Sequence, residues 1–283
     1  MNIRKINAAE ITEAVKKMFM DMNYYIGSDI LTALNKAEQT ETSDTAKSVL
    51  AQLIENHKIA SEEEVPICQD TGMAVLFVEY GQNIVIENGS FEEAVQEGVR
   101  RAYIDGYLRK SVVSDPVFDR INTKDNTPAV IYTEIVPGDQ IKILGGCKGF
   151  GSENMSAVKM LTPSAGIEGV KQFIYDTVKY AGPNPCPPIV VGIGIGGTFE
   201  KAAMLAKKAT LRPIDTDNSD ERYAALEKKL LDGINQMGYG PAGLGGKTTA
   251  IGVNIETFPT HIAGMPVAVN ICCHAARHKE ITI

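Results

Sequence analysis

Residues 65–72, with the sequence Val-Pro-Ile-Cys-Gln-Asp-Thr-Gly, lead directly into the apolar run Met-Ala-Val-Leu-Phe-Val at positions 73–78. This order predicts a loop that feeds a buried strand, because the run is short, apolar and preceded by turn-forming residues. The proline restricts the backbone ahead of Cys68, and Gly72 permits a tight turn behind it. We therefore expect Cys68 and Asp70 to lie in a turn that a rigid sheet holds in place.

The composition is that of an ordinary globular protein, with 44% hydrophobic and 22% charged residues in a chain of 283. The net charge of -7 argues against a nucleic-acid-binding protein and means that an anionic substrate would need local cations. No apolar run approaches the roughly twenty residues of a membrane span, and the amino-terminal residues lack an apolar signal core. We expect a cytoplasmic protein that binds neither nucleic acid nor membranes.

Helical and strand patterns predict an α/β fold with some α+β character. Three amphipathic patterns in the first sixty residues predict an N-terminal helical layer over about 1–60. From about 61 to 283, short apolar runs alternate with helical patterns, which predicts a mixed sheet core with flanking helices. The whole of 1–283 is predicted to be a single domain.

Several local features are predicted within this core. Ser90 opens a capping box and therefore a helix. Two β-hairpins are expected, one from 73–79 and 83–87 and the other from 129–136 and 140–144. Four glycines between positions 145 and 155 predict a loop that a ligand can approach closely.

Five cysteines lie at positions 68, 147, 186, 272 and 273. An odd number without a secretion signal argues against a disulfide framework. No C-x-x-C pair occurs, so the spacing gives no zinc-finger or ferredoxin signal, and a buried apolar thiol is the default for each. The proline- and glycine-rich surroundings of Cys68, Cys147 and Cys186 nevertheless predict loops, where metal ligands and reactive groups are common.

Two segments resemble nucleotide-binding motifs but depart from them. Residues 192–198 follow a strand and open a helix, yet the glycine spacing is G-x-G-x-G-G. Residues 241–248 have proline in the first glycine position of a P-loop and run from a helix into a strand, the reverse of the P-loop order. We expect neither a dinucleotide nor an ATP site, although anion binding at the helix start stays open. Lys247 is interpreted as a solvated loop residue, with a carboxylate partner as the alternative.

Taken together, five segments resemble the alpha subunit of class I fumarate hydratase, a family closely similar to the L(+)-tartrate dehydratase alpha subunit. They are residues 65–72, 151–156 (Gly-Ser-Glu-Asn-Met-Ser), 192–198, 243–249 (Gly-Leu-Gly-Gly-Lys-Thr-Thr) and 260–270 (Thr-His-Ile-Ala-Gly-Met-Pro-Val-Ala-Val-Asn). The resemblance covers nearly the whole chain. It implies a hydro-lyase that hydrates fumarate reversibly to L-malate, a reaction of the tricarboxylic acid cycle, or one that converts L(+)-tartrate to oxaloacetate.

The same resemblance implies a [4Fe-4S] cluster held by three cysteines, with one iron left open for substrate. Cys68, Cys186 and Cys273 match the ligand positions. The neighbouring Cys272 leaves open which of the two adjacent thiolates binds, because adjacent side chains of an extended segment point in different directions. Cys147 matches no ligand position and is expected to be a loop or core thiol.

The resemblance also implies roles around the substrate. Asp70 matches the acid at the leaving hydroxyl, Gln69 a substrate contact, Arg109 and His261 carboxylate-binding positions, and Gly151 a backbone contact. A purely structural role stays open for two of these residues. An aspartate in a turn commonly caps its own backbone, and an ordinary hydrogen-bonded histidine is the alternative for His261.

In this family the catalytic base and further cations for a small dicarboxylate lie in a second domain, and the chain offers no segment for it. The resemblance therefore implies a separate beta subunit and an α2β2 assembly. Two alternatives of a different class remain: a nucleotide-binding protein that uses the Lys247 loop, and a non-catalytic iron–sulfur or zinc scaffold.

Overall fold

The structure, a computed structural model, describes residues 3–283. The chain divides into two compact units. The first contains the described residues up to Gly27 together with Ile59–Lys148 and Arg277–Ile283, and the second contains Ser28–Lys58 and Gly149–Ala276. Each unit has a four-stranded sheet with helices packed on it, which confirms the α/β fold class. The assignment of 1–283 to one catalytic domain stays a prediction.

The helices and strands follow one another along the chain in this order: β1 (Arg4–Asn7), α1 (Ala8–Tyr24), α2 (Ser28–Thr40), α3 (Asp44–Glu63), β2 (Met73–Gly81), β3 (Ile84–Glu87), α4 (Phe91–Asp105), β4 (Val130–Val136), β5 (Ile141–Lys148), α5 (Phe150–Glu153), β6 (Ala157–Leu161), α6 (Gly166–Ala181), β7 (Ile189–Gly196), α7 (Phe199–Ala209), α8 (Glu221–Asn235), β8 (Ala250–Phe258), β9 (Met265–Cys272) and β10 (Arg277–Thr282). The three predicted amino-terminal helices are present as α1, α2 and α3. No helix within residues 3–283 is long and apolar enough to cross a membrane.

The sheet of the first unit has the strand order β10-β5-β2-β4. Its central strand β2 runs parallel to β4 and antiparallel to β5. Ala74, Leu76 and Val78 alternate along β2 and are buried in one core with side chains of α1 and α4. This alternation is what the period of two in a strand requires when one face meets helices. The predicted buried strand behind the Cys68 turn is therefore confirmed.

Both predicted hairpins are wrong. Strand β3 pairs in parallel with β1, and β2 is already bordered by β4 and β5. Strands β4 and β5 do not pair with each other, because β2 lies between them. The short turns favoured pairing between strands that are consecutive in the chain. In the structure, strands that are distant in the chain pair with both edges of β2 instead.

The sheet of the second unit has the strand order β6-β9-β7-β8. Along β7, Val191 and Ile193 enter a core shared with α6 and α8. Gly192 and Gly194 alternate with them, and α7 packs on β7. A Cβ atom at Gly194 would lie 2.0 Å from the Ala202 carbonyl oxygen, so the helix can approach only a glycine. Gly192 and Gly194 of the segment that resembles a dinucleotide motif therefore serve helix packing.

The glycine-rich segment 145–155 is only partly a loop. Gly145, Gly146 and Cys147 belong to β5, and α5 follows. A Cβ atom at Gly145 would lie 2.5 Å from the Met18 methyl carbon, so this glycine admits close packing by α1 rather than by a ligand. The capping box is confirmed: the Ser90 hydroxyl accepts a hydrogen bond from the Glu93 backbone N–H at 3.2 Å.

Candidate active site

The Cys68 turn lies between the end of α3 and the start of β2. Cys68 and Asp70 are half-buried, whereas Gln69 is exposed. The Cys68 thiol lies 3.3 Å from the Gln69 Oε1 atom. The Asp70 Oδ1 atom accepts a hydrogen bond from the Gly72 N–H at 3.0 Å, so the carboxylate caps its own turn, which is the structural role expected of an aspartate in a turn. The cap orients the Asp70 side chain and leaves a role for this group as an acid intact.

Buried side chains hold the carbonyl groups of this turn. The Tyr103 hydroxyl, which is fully buried, lies 2.8 Å from the Gly72 carbonyl oxygen and 3.0 Å from that of Thr71. Burial raises the pKa of Tyr103 well above its usual value, so the phenol keeps the proton that it donates. Arg277, also buried, donates from Nη2 to the Asp70 carbonyl oxygen at 2.8 Å. Hydrogen bonds from a charged donor contribute roughly 1.5–3 kcal/mol each, so the turn is held firmly.

Cys147 lies behind this turn in β5 and is only 2% exposed. Its sulfur accepts a hydrogen bond from the Asn23 amide at 3.3 Å, and Asn23 in turn accepts one from the Arg277 Nη1 atom at 2.9 Å. Burial raises the pKa of the Cys147 thiol. A buried neutral thiol is a poor metal ligand. Of the two alternatives expected for Cys147, the structure shows the core thiol, and the loop predicted from its neighbouring glycines is wrong because Cys147 belongs to β5.

Arg109 follows α4 and is exposed. Its carbonyl oxygen accepts a hydrogen bond from the Thr71 hydroxyl at 3.1 Å, so its main chain is tied to the Cys68 turn. In the described part of the chain the guanidinium makes no hydrogen bond or ion pair. Arg109 can therefore offer both of its N–H pairs to a carboxylate.

In the second unit, Cys186 is exposed in the loop before β7. Its N–H donates to the Pro183 carbonyl at 3.1 Å, and its φ of 56° lies in the left-handed region. That conformation costs a non-glycine residue roughly 1–2 kcal/mol and is concentrated at functional sites. The loop therefore presents the thiol at the surface at a cost in stability.

The adjacent cysteines differ in burial. Cys272 is the last residue of β9, lies opposite Val190 of β7 and is 5% exposed. Cys273 follows the strand and is half-buried. Because neighbouring side chains of an extended segment alternate in direction, only one of the two thiols lies in the core. The burial favours Cys273 as the ligand.

A polar cluster ties β9 to the segment that carries Gly151. Glu153 accepts hydrogen bonds from Lys207 and from the Asn270 amide, the latter at 3.0 Å. The Ser156 hydroxyl oxygen accepts one from the Ile271 N–H at 3.2 Å. Gly151 itself is exposed, and a Cβ atom there would meet nothing within 4 Å. Packing within the chain does not require glycine at position 151. The presence of glycine there is consistent with close approach by a ligand.

His261 is exposed in the turn after β8. Its Nδ1 atom accepts a hydrogen bond from the Ala263 N–H at 3.2 Å. An accepting Nδ1 places the proton of the neutral ring on Nε2, which can then donate to a substrate carboxylate. The Thr260 hydroxyl donates to the Gly197 carbonyl at 2.9 Å and so fixes this turn to the start of α7. The ordinary hydrogen-bonded histidine and the substrate contact are therefore compatible.

The motifs that resemble nucleotide sites are occupied by the chain itself. The Lys247 N–H donates to Glu41 at 2.7 Å, and its ammonium group donates to the Thr40 carbonyl at 3.2 Å. The Lys247 side chain is exposed and bonds a carbonyl group rather than a carboxylate, as expected of a loop lysine. At the start of α7 the Thr198 hydroxyl bonds Glu200, so an acidic side chain already lies where an anion was considered.

Sequence reasoning missed Tyr103, Arg277 and Asn126 as parts of the site. Their side chains act on the backbone of the Cys68 turn from 31 or more positions away. No local pattern marks such a contact. For Arg277 the only signal was its place beside the last cysteine motif.

Among residues 3–283, no group of three or more histidine, cysteine, aspartate or glutamate side chains is arranged to hold a single metal ion. An iron–sulfur cluster takes each thiolate on a different iron, so its ligands do not converge on one point. All five cysteines are outside disulfide bonds. Cys68, Cys186 and Cys273, the three that are not buried, suit a thiolate-ligated cluster by their chemistry.

Comparison with known proteins gives consistent results. A family model described as fumarate hydratase (fumerase) matches residues 12–282. A protein of Methanocaldococcus jannaschii, provisionally named L(+)-tartrate dehydratase subunit alpha, is 44% identical over 272 residues, which is 95% of this chain and 95% of that protein. The L(+)-tartrate dehydratase subunit alpha of Escherichia coli K12 is 32% identical over 278 residues, 97% of this chain and 91% of that protein.

Proposed function

Because this chain belongs to the fumarate hydratase family, we propose that it is the alpha subunit of a [4Fe-4S] hydro-lyase that hydrates fumarate reversibly to L-malate. The observation that carries the proposal is the Cys68 turn, which presents a thiol and a carboxylate two residues apart. Thr71, within the same turn, bonds the main chain of Arg109. A soft metal ligand, a proton donor and a cation for a carboxylate are thus joined in one unit.

Cys68, Cys186 and Cys273 would hold the cluster. Their accessible thiols fit it, whereas Cys147 and Cys272 are buried. When bound, the cluster would supply an iron without a protein ligand, which acts as a Lewis acid toward a hydroxyl and a carboxylate.

Asp70 would supply the proton for the leaving hydroxyl during dehydration. Its Oδ1 atom is held by the Gly72 N–H, so the side chain keeps one orientation. A positioned general acid typically contributes a factor of about 10²–10⁴ to the rate.

The remaining residues would bind the substrate. Arg109 would form a bidentate pair with one carboxylate. His261 would donate from Nε2 to a carboxylate, Gln69 from its amide, and Gly151 from its backbone. A dicarboxylate approaching a chain of net charge -7 needs such local donors.

We infer that a beta subunit completes the enzyme and supplies the base, in an α2β2 assembly in the cytoplasm. The relatives' names as alpha subunits support a partner subunit. Copurification of the two chains from a co-expressing host, with mass measurement in solution, tests the assembly.

L(+)-tartrate is the second candidate substrate, and the names of the relatives favour it. The test is an anaerobic assay of the reconstituted complex with fumarate, L-malate and L(+)-tartrate. Malate formation from fumarate with a kcat/KM above that for tartrate supports the first assignment. The reverse order assigns the chain to tartrate dehydration, and no turnover of either refutes the hydro-lyase.

Iron and sulfide analysis of anaerobically purified protein tests the ligands. Cys68→Ser, Cys186→Ser and Cys273→Ser should each lose the cluster and the activity, while the matched variant Cys147→Ser retains both. A normal cluster in the Cys68→Ser protein would contradict the ligand set. Zinc in place of iron in the wild-type protein would favour the scaffold alternative, and saturable ATP binding that Lys247→Ala abolishes would favour the nucleotide alternative.

A further inference from the structure

Asn126 lies in the loop between α4 and β4 and is completely buried. Its φ of 62° is in the left-handed region, which asparagine tolerates better than most residues. The side-chain Nδ2 atom donates to the Gly72 carbonyl oxygen at 3.1 Å. The Oδ1 atom accepts from the Ser111 N–H at 2.7 Å and the Val112 N–H at 3.2 Å. We call this set of three hydrogen bonds the Asn126 bridge.

The two segments that the bridge joins carry different parts of the proposed chemistry. Gly72 closes the turn of Asp70 through its own N–H, and Ser111 follows Arg109 by two residues. The Thr71 hydroxyl, bonded to the Arg109 carbonyl at 3.1 Å, is a second link between them. The bridge thus connects the proton-donating turn to the carboxylate-binding segment.

We propose that Asn126 is a positioning residue that sets the Arg109 segment against the Asp70 turn. This inference rests on the proposed function of those two residues. The amide suits the task because its Nδ2 atom donates to one segment while its Oδ1 atom accepts from the other, whereas an ionised carboxylate has no donor.

The loop that contains Asn126 has separate hydrogen bonds of its own. The Ser114 N–H donates to the Ile121 carbonyl at 2.8 Å, and Arg100 binds Asp125 at 2.9 Å. Asn122 donates to the Lys110 carbonyl at 2.8 Å. Removing the Asn126 side chain should therefore leave this loop closed while it releases the loop from the Cys68 turn.

Hydrogen exchange of the full chain tests the bridge without any assay of activity. Asn126→Gly keeps the left-handed backbone and deletes the bridge, while Asn126→Asp keeps an acceptor for Ser111 and Val112 but loses the donor to Gly72. In both variants the Gly72 N–H should exchange at least tenfold faster, because the turn that protects it loses the support of Asn126. This N–H is bonded to Asp70 and not to Asn126, so its exchange reports on the turn itself. The Ser111 and Val112 amides should exchange faster only in Asn126→Gly.

The matched control is Asn122→Ala, which removes another asparagine that fastens the same loop but does not touch the turn. Its Gly72 N–H should exchange at the wild-type rate. Unchanged exchange at Gly72 in Asn126→Asp overturns the proposal, and so does equal acceleration in Asn122→Ala. If Asn126→Gly does not fold, Asn126→Asp decides the question.

Kinetics of the anaerobic complex provide the second measurement. Both Asn126 variants should raise KM for the dicarboxylate and lower kcat, with a loss in kcat/KM of about tenfold to a hundredfold, as expected when reacting groups shift by less than an ångström or so. The iron content should stay at the wild-type level. Wild-type kinetics in a folded variant overturn the proposal, whereas an inactive wild-type complex refutes the proposed function and leaves the exchange data to decide the bridge.

Discussion

At the Cys68 turn, the buried side chains of Tyr103, Arg277 and Asn126 all bond main-chain carbonyl groups. The side chains proposed to act at this turn are therefore positioned through hydrogen bonds to their backbone. Such indirect support is a general requirement for precise sites. Single substitutions at this turn can therefore test the contribution of individual hydrogen bonds.

Asp70→Asn separates the observed turn-capping role of this aspartate from its proposed role as an acid. The amide oxygen can still accept the Gly72 N–H, so we expect a wild-type fold, but the amide cannot deliver a proton to the leaving hydroxyl. The kcat of the complex should fall by about 10²–10⁴. Steady-state kinetics and thermal unfolding of the same preparation check this. A variant with wild-type kcat would refute Asp70 as the acid.

Gly72→Ala should strongly destabilise the protein. Gly72 has a φ of 77°, and a Cβ atom there would lie 2.8 Å from the Cys147 carbonyl carbon. The backbone conformation and the clash together should lower the free energy of unfolding by about 2–5 kcal/mol, as urea titration would measure.

Gly238→Ala is the matched control, because Gly238 has a φ of 70° with open space around its Cα. It should cost only the conformational part, about 1–2 kcal/mol. Equal losses in the two variants would show that the close approach at Gly72 is unimportant.

At the scale of residues, the sequence predicts the motif residues well, but it does not predict the buried residues that hold them in place. Pro66 through Gly72 predict a turn because proline and glycine act locally. The role of Asn126 cannot be predicted in this way, because a single asparagine in a polar loop forms no sequence pattern. Its contacts with Gly72 and Ser111 arise only in the folded chain.

Among the elements, helices were predicted well and strand pairing was not. Helical periodicity and the Ser90 capping box are local properties, so three helices lie in the predicted amino-terminal region and α4 begins directly after Ser90. Pairing depends on distant segments, and β2 separates β4 from β5 although only four residues join those two strands. The glycines of β7 likewise required the position of α7 to be understood.

The caps of α4 and α7 provide a test at this scale. The Ser90 hydroxyl accepts a backbone N–H, whereas the Thr198 side chain makes no such cap bond. Ser90→Ala should therefore lower the free energy of unfolding by about 1 kcal/mol, and Thr198→Ala by less. Urea unfolding of both variants measures the difference. A larger loss in Thr198→Ala would contradict the assignment of the caps.

For the molecule as a whole, the buried acids Cys147 and Tyr103 predict how stability depends on alkaline pH. Burial raises the pKa of both groups in the folded state above the ordinary values of 9.0 and 10.0. Their contribution to stability is complete below these values and is lost as pH rises toward the folded-state pKa, because the unfolded chain releases its protons first. We expect the free energy of unfolding to fall from about pH 9 upward.

Denaturant titrations between pH 7 and pH 11 measure this dependence. Cys147→Ala should remove the earlier part of the decline, which begins near the ordinary thiol pKa of 9.0. Identical pH profiles of the variant and the wild type would show that the thiol does not contribute.

The strand order of the first unit has a consequence for biosynthesis. Strand β10 pairs with β5, and Arg277 within it bonds the Asp70 carbonyl, yet the entire second sheet is translated between them. At ribosomal rates of about 5–20 residues per second, a nascent chain waits on the order of ten seconds with that sheet edge unpaired. The turn that holds Cys68 is thus completed only after the second sheet has left the ribosome, which places assembly of the site among the last events of folding.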